Sequence, residues 1–211
     1  MSSLGLFGGT FDPIHLGHLR LAEAFRDELA LDEVRLIPAG QPYHRAQGPA
    51  ASATDRLTMT RLAIEGLPRL CVDDRETRRE RPAYTIDTLE EIRADIGAEP
   101  ALWLLIGGDS LAGLGSWRRW TELFSLANIA VALRPGFSAE ALPEPVRREW
   151  LSRQVIDFPN STASGTMRPL ALPPRDISAT DIRRRLRHGD APEEFISAPV
   201  LAYIRERGLY L

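Results

Sequence analysis

Gly8-Gly9-Thr10-Phe11-Asp12-Pro13-Ile14-His15-Leu16-Gly17-His18 is the stretch around which the rest of this 211-residue chain is organised. Just before it, Leu4 to Phe7 form a short apolar run of strand character. Just after it, Leu19, Ala22, Phe25 and Leu29 recur at helical spacing, which predicts a helix from about Leu16 to Leu29. The stretch is therefore a strand-to-helix turn that opens an α/β pattern. Two adjacent glycines leave the backbone bare, so a ligand can approach its N–H groups closely. The following helix directs its first N–H groups, and the positive end of its dipole, at whatever occupies the turn. His15 and His18, three residues apart at that helix start, add two imidazoles aimed the same way. The combination suits a polyanion.

Outward from this turn, apolar strand-length runs alternate with helical patterns. Val34 to Ile37 reads as a second strand, followed by a Gly-, Pro- and Ala-rich loop from Gly40 to Ala53 that carries Tyr43-His44-Arg45. Thr54 or Asp55 is expected to cap a helix through Glu65. Leu70 to Val72 reads as a third strand, and the mixed-sign run Asp73 to Arg81 as a solvated connection. Tyr84-Thr85-Ile86-Asp87-Thr88-Leu89 opens the next helix, with Thr85 and Thr88 in capping positions. Ala101 to Ile106 is a continuous apolar run, as expected of a parallel strand covered on both faces. It ends in Gly107-Gly108-Asp109-Ser110, and Leu111, Leu114 and Trp117 follow at three-residue steps. Asn128 to Leu133 is another buried strand, closed by Arg134-Pro135-Gly136. Ser138 to Leu151 reads as helical, and one strand is expected near Met167 to Leu172. A basic helix begins at Ile177-Ser178-Ala179-Thr180-Asp181-Ile182-Arg183, where Ser178 and Asp181 have capping-box spacing. A last helix spans Val200 to Arg207.

This alternation predicts one domain over residues 1–211, an α/β, doubly wound, Rossmann-like parallel sheet with a small C-terminal helical extension from about residue 176. Ligands of such sheets sit at the carboxyl ends of the strands, where each of these motifs falls.

Net charge is −3 with acids and bases interspersed, which argues against a nucleic-acid partner. The single cysteine, Cys71, excludes an intramolecular disulfide and fits a reducing compartment. No signal-like leader and no apolar run of membrane-spanning length is visible, so a cytoplasmic protein with no membrane partner is expected. All 26 Lys-plus-Arg residues are arginine. A Walker P-loop, which needs lysine, is excluded, and so is a lysine–nucleotide intermediate. With four histidines and one cysteine, the His15/His18 pair has no nearby third and fourth zinc ligand, so no protein metal site is expected.

T-F-D-P-x-H-x-G-H after a strand resembles the signature of the nucleotidyltransferase superfamily. Ile177-Ser178-x-Thr180-x-Ile182-Arg183 resembles that superfamily's second signature, I-S-x-T-x-I-R, with Ala179 where many members carry serine. Class I aminoacyl-tRNA synthetases share H-x-G-H but pair it with a lysine-rich loop, which this chain cannot supply. Three further stretches resemble the bacterial nicotinate-mononucleotide adenylyltransferases. Pro42-Tyr43-His44-Arg45 is similar to P-P-H-K, Tyr84-Thr85-x-Asp87-Thr88-Leu89 to Y-T-x-D-T-L, and Gly107-x-Asp109-Ser110-Leu111 through Trp117 to G-x-D-S-L…W.

The resemblance implies transfer of AMP from ATP to nicotinate mononucleotide, with Mg²⁺ carried on the ATP phosphates. Gly8, Gly9, Thr10, Phe11 and His15 would seat the triphosphate, with His18 at the reacting α-phosphate. Arg183, with Ser178 and Thr180, would hold the leaving pyrophosphate, and Gly107 and Asp109 would meet the nucleotide's ribose end. His44, Arg45, Tyr84, Thr85, Trp117 and Arg134 would address the pyridine nucleotide. The helix dipole disfavours a charged His18 by at most about 2 kcal/mol, whereas a phosphate oxygen in contact favours it by roughly 4 kcal/mol at an effective dielectric of 20. Charge is therefore expected on His18 only with nucleotide bound. A phosphopantetheine-type adenylyltransferase shares both nucleotide signatures, and a non-catalytic nucleotide sensor is the reading from another class. Oligomeric state stays open between a monomer and a homo-oligomer.

Overall fold

A computed structural model describes residues 3–41, 48–155, 162–173 and 177–211. Its core is a six-stranded sheet built from β1 (Ser3–Gly9), β2 (Glu33–Pro38), β3 (Leu70–Val72), β4 (Ala101–Gly107), β5 (Asn128–Ala132) and β6 (Met167–Pro169). The strands lie in the order β3-β2-β1-β4-β5-β6, and every pairing is parallel. The order reverses between β1 and β4, which is where a crevice opens in a doubly wound sheet.

Helices α1 (Leu16–Glu28), α2 (Ala53–Ile64), α7 (Ala179–Arg187) and α8 (Ala198–Glu206) bury apolar faces on one side of this sheet. Helices α3 (Thr85–Ile96), α5 (Leu123–Leu126) and α6 (Glu144–Arg153) cover the other, and α4 (Gly108–Ala112) follows directly on β4. Trp103 and Leu105 of β4 enter the first core, while Leu102, Leu104 and Ile106 enter the second. That two-sided burial is why the strand reads as an unbroken apolar run rather than an alternating one. Helix α1 packs close against β1: a Cβ on Gly5 would lie 2.6 Å from the Phe25 ring.

The expected elements are present, and five local readings are corrected. Ser52, not Thr54 or Asp55, caps α2, its hydroxyl accepting the Asp55 backbone N–H at 3.0 Å. Tyr84 is the residue before α3, so Thr85 is its first helical residue and neither threonine caps it. Thr88 is instead buried, donating to the Glu76 carboxyl at 2.7 Å and accepting from Arg79 at 2.9 Å. The Asp73 to Arg81 run is docked rather than merely solvated. Arg75 reaches Asp73 and Asp95, each at 2.9 Å, and Arg79 reaches Glu91, so the alternating signs are matched to the side of α3. Between Ser138 and Leu151 a short 3₁₀ turn at Ala139–Ala141 precedes α6, with Pro143 before the first helical residue. The Ser178 hydroxyl makes no cap bond on α7, and Asp181 pairs with Arg184 instead of closing a capping box. Among the described residues no helix is long and apolar enough to cross a membrane.

Candidate active site

A cavity of about 290 Å³ lies where the strand order reverses, at the carboxyl ends of β1 and β4. It brings together Gly8, Gly9, Thr10, Thr85, Gly107 and Trp117, which are distant in sequence. A Cβ added at Gly8 or Gly107 would meet no heavy atom within 4 Å, so each glycine presents bare backbone to open space. A planar ring can therefore lie against these peptides with its edge near their polar groups. Trp117 is half-buried and packs on the second core, which holds its indole as one wall of the cavity. Glu76 and Thr88 close the far side, and burial holds the Glu76 carboxyl above its ordinary range.

The two histidines stand beside this cavity, at the start of α1, and do not line it. Their rings are stacked, with centroids 3.6 Å apart and planes 19° from parallel. The His15 backbone N–H donates to Nδ1 of His18 at 3.3 Å. An accepting Nδ1 places the proton of a neutral His18 on Nε2, so the ring remains a donor without carrying charge. Phe11 supports it edge-on, its ring 5.1 Å from that of His18 at 85°. Gly17 packs closely beneath His15: a Cβ there would sit 3.1 Å from Nδ1 of His15, so the ring would have to shift by a few tenths of an ångström. That same Nδ1 is buried with no hydrogen-bond partner among the described residues.

Burial lowers the His15 pKa from its ordinary 6.5 to about 4. Burial, and the charge His15 would carry, push His18 well below its ordinary value. Both are neutral near pH 7 in the free protein, in line with the expectation for His18. The linkage has a definite sign. Between pH 6.5 and 4 the unfolded chain binds the His15 proton and the folded chain does not, so stability falls as pH falls through that window. A depression of this size corresponds to roughly 3 kcal/mol at the acid end. The Tm of the free protein should therefore drop between pH 6.5 and 4.5, and less steeply in His15→Asn. An identical slope in the variant would place the titration elsewhere.

The second signature meets the first. A Cβ on Gly17 would lie 3.5 Å from that of Ile177, and the Leu16 N–H donates to the Phe195 carbonyl at 2.8 Å. A smaller hollow beside α7 includes Ser178 in its lining. Arg183 donates to the backbone carbonyl of Asp12 and, at 3.2 Å, to the Thr180 hydroxyl. Asp109 and Arg134 lie at the ends of β4 and β5, 3.9 Å apart, with side chains 93% and 70% exposed. Tyr84 lies under the Arg118 guanidinium, 4.8 Å from its ring centroid. His44 and Arg45 lie outside the described residues.

Two supporting residues escaped the sequence reading. The Asp12 side chain, 1% exposed, accepts the N–H groups of Ala50 and Ala51 at 2.8 and 3.0 Å. Arg56, also 1% exposed, donates to the carbonyls of Thr10, Gly40 and Ala51. A signal for Arg56 exists in hindsight. It shares a helical stripe with Met59, Thr60 and Ala63, all of them buried, so its guanidinium must find partners inside.

The cytidylyltransferase-like family profile matches residues 6–185. A Chromobacterium violaceum protein named "Probable nicotinate-nucleotide adenylyltransferase" is 63% identical over 207 residues, covering 98% of each chain. A Cellvibrio japonicus protein of the same name is 45% identical, covering 99% of this chain and 98% of its own. Among solved structures, the Plasmodium falciparum nicotinic acid mononucleotide adenylyltransferase complexed with NaAD superposes with a TM-score of 0.76. That match covers 100% of this chain and 98% of the other at 15% identity, a likeness of fold. With the fold, both signatures and these relatives in agreement, the chain belongs to the cytidylyltransferase-like family and, within it, to the nicotinate-nucleotide adenylyltransferases.

Proposed function

We propose that this protein transfers AMP from ATP to nicotinate mononucleotide, giving deamido-NAD and pyrophosphate. The observation that carries this reading is the cavity at the strand reversal. Its Gly8 and Gly107 backbone and Trp117 wall suit a flat heteroaromatic ring, and its Gly8–Thr10 rim continues into the turn that opens α1. A ring at one end and phosphates at the other is the layout that joining two nucleotides requires.

The ATP phosphates would lie over the Gly8 to Phe11 backbone and the N-terminus of α1, where the positive end of the helix dipole favours anions; the Leu16 and His18 N–H groups already donate to the Phe195 and His15 carbonyls. His18, a donor through Nε2, would face the α-phosphate, with His15 beside it. Arg183, Ser178 and Thr180 would receive the pyrophosphate as it leaves. Thr85 and Trp117 would hold the pyridine ring, with Tyr84, Arg134 and the His44-Arg45 pair around the rest of the mononucleotide. Gly107 lets the nucleotide approach β4 closely, and Asp109 would accept from ribose hydroxyls. The acceptor's phosphate oxygen is already a nucleophile, so the chain need supply no general base. Its contribution is alignment and charge stabilisation.

Among the described residues no group of three or more His, Cys, Asp or Glu side chains could hold a metal ion. Mg²⁺ fits this site as an ion carried on the ATP phosphates with water completing its shell, where it would offset their charge.

Initial rates with ATP and, in turn, nicotinate mononucleotide, nicotinamide mononucleotide and phosphopantetheine test the reading directly. The expected result is pyrophosphate release with nicotinate mononucleotide above both others. Release only with phosphopantetheine, or none at all, would replace it with the phosphopantetheine type or the nucleotide sensor. Replacing Trp117 with leucine should raise KM for the mononucleotide about tenfold, the scale of losing one aromatic–heterocycle stack, and leave KM for ATP near its original value. Equal KM shifts for both substrates would move Trp117 away from the ring.

A further inference from the structure

Asp12 is buried within the first signature, and what holds its carboxylate has a consequence for Arg183. Oδ2 accepts the Ala50 N–H at 2.8 Å, and Oδ1 accepts the Ala51 N–H at 3.0 Å. The third donor comes from the far end of the sequence: the Tyr210 hydroxyl donates to Oδ1 at 2.8 Å. Arg183 stands near but off the carboxylate, with Nη1 on the Asp12 carbonyl oxygen and 3.7 Å from Oδ2.

That separation needs an explanation. A guanidinium and a carboxylate this close and this buried gain by closing into a two-pronged ion pair. Arg183 is only 14% exposed and Asp12 1%, so solvent does little to weaken the attraction. What opposes two-pronged closure is that Oδ1 already holds two neutral donors, Ala51 and Tyr210, while Oδ2 holds only Ala50. Arg56, the other guanidinium in this region, donates to the carbonyls of Thr10, Gly40 and Ala51.

The sequence after α8 is shaped to deliver the third donor. Gly208 adopts φ +60°, and the Leu209 N–H returns to the Ile204 carbonyl at 3.0 Å, which turns the chain back over the helix end. Tyr210 then enters the first core, 9% exposed. Burial and the Asp12 charge raise its phenol pKa, so it stays protonated and can only donate to that carboxylate.

We propose that Tyr210 is a positioning residue for the nucleotide end of the site: by filling Oδ1 of Asp12 it keeps Arg183 from collapsing onto the carboxylate and leaves the guanidinium for the ATP phosphates. This rests on the placement of Arg183 beside the triphosphate in the proposed function. Removing the hydroxyl leaves an open acceptor in a buried site, and Arg183 is the charged donor poised to fill it.

The test is Tyr210→Phe, which removes one oxygen and preserves the packed ring. ATP affinity is measured by calorimetry without acceptor, and KM for ATP and for nicotinate mononucleotide from initial rates. The expected result is an ATP Kd and KM raised about tenfold, equivalent to one charge-assisted contact, with KM for the mononucleotide within about twofold. Adding Asp12→Asn removes the charge that captures Arg183, so the double variant should recover most of the ATP affinity, which a packing defect would not. KM for pyrophosphate in the reverse reaction should follow KM for ATP, and it serves where the double variant does not fold. ATP affinity within twofold of wild type, or equal shifts for both substrates, overturns the proposal. If the wild type binds ATP but does not adenylylate the mononucleotide, the acceptor reading falls and the Tyr210 comparison still stands on the calorimetric Kd.

Discussion

Replacing His18 with alanine is expected to lower kcat by on the order of 10²–10³, the scale of losing one preorganised donor at a developing oxyanion. The size follows from how the ring is held. The backbone N–H of His15 fixes Nδ1 as acceptor, the His15 ring stacks on one face, and the Phe11 edge packs against it. The ring is therefore fixed before substrate arrives, so in the proposed role Nε2–H would need no reorganisation as charge gathers on the α-phosphate. An interaction made mainly in the transition state lowers kcat and kcat/KM together and leaves KM nearly unchanged. His18→Gln, which can also donate an N–H, should retain more activity than alanine. Rapid-quench turnover at saturating ATP and acceptor checks this, and near-normal turnover in the alanine variant would remove His18 from the chemistry.

Much of this arrangement was legible in the residues, and the part that was not has a physical cause. The β4 run from Ala101 could be read as a doubly covered strand because burial on both faces removes polar positions from it. The reading of two bare glycines holds for Gly8, where a Cβ would meet nothing within 4 Å, and is corrected at Gly9, where a Cβ would lie 2.6 Å from the Phe11 ring, so packing and not ligand approach explains that glycine. What the spacing could not give is that β4 lies beside β1, with β2 and β3 on the other side. Only that order brings Gly107, Thr85 and Trp117 to the same opening as Gly8. Thr88 departs from the reading for a related reason: a threonine near a helix start resembles a cap until the half-buried Glu76 and Arg79 turn out to be its partners. Asp12 and Tyr210, 198 positions apart, carry no local sign of each other at all.

Arg56→Met should destabilise the fold by about 3–5 kcal/mol, since a buried carbonyl that loses its donor costs about 1–3 kcal/mol. The guanidinium serves three of them: Thr10 at 2.7 Å, Gly40 at 3.0 Å and Ala51 at 3.4 Å. The side chain is 1% exposed and wedged between α2 and the first signature, so water cannot take its place without opening the core. Methionine matches the length of the stem and its apolar contacts, which isolates the loss of donors from the loss of volume. For a chain of this size the expected fall in Tm is about 6–20 °C, taking 2–4 °C per kcal/mol. Lysine should rescue little, because one ammonium cannot reproduce a planar fork that spans separate carbonyls. The effect should also reach catalysis, since the Thr10 carbonyl belongs to the turn that would seat the triphosphate. Thermal unfolding and ATP affinity measured on the same variant separate the two outcomes. A Tm within about 3 °C of wild type would show that the three carbonyls find other donors, and that Arg56 does not hold the turn.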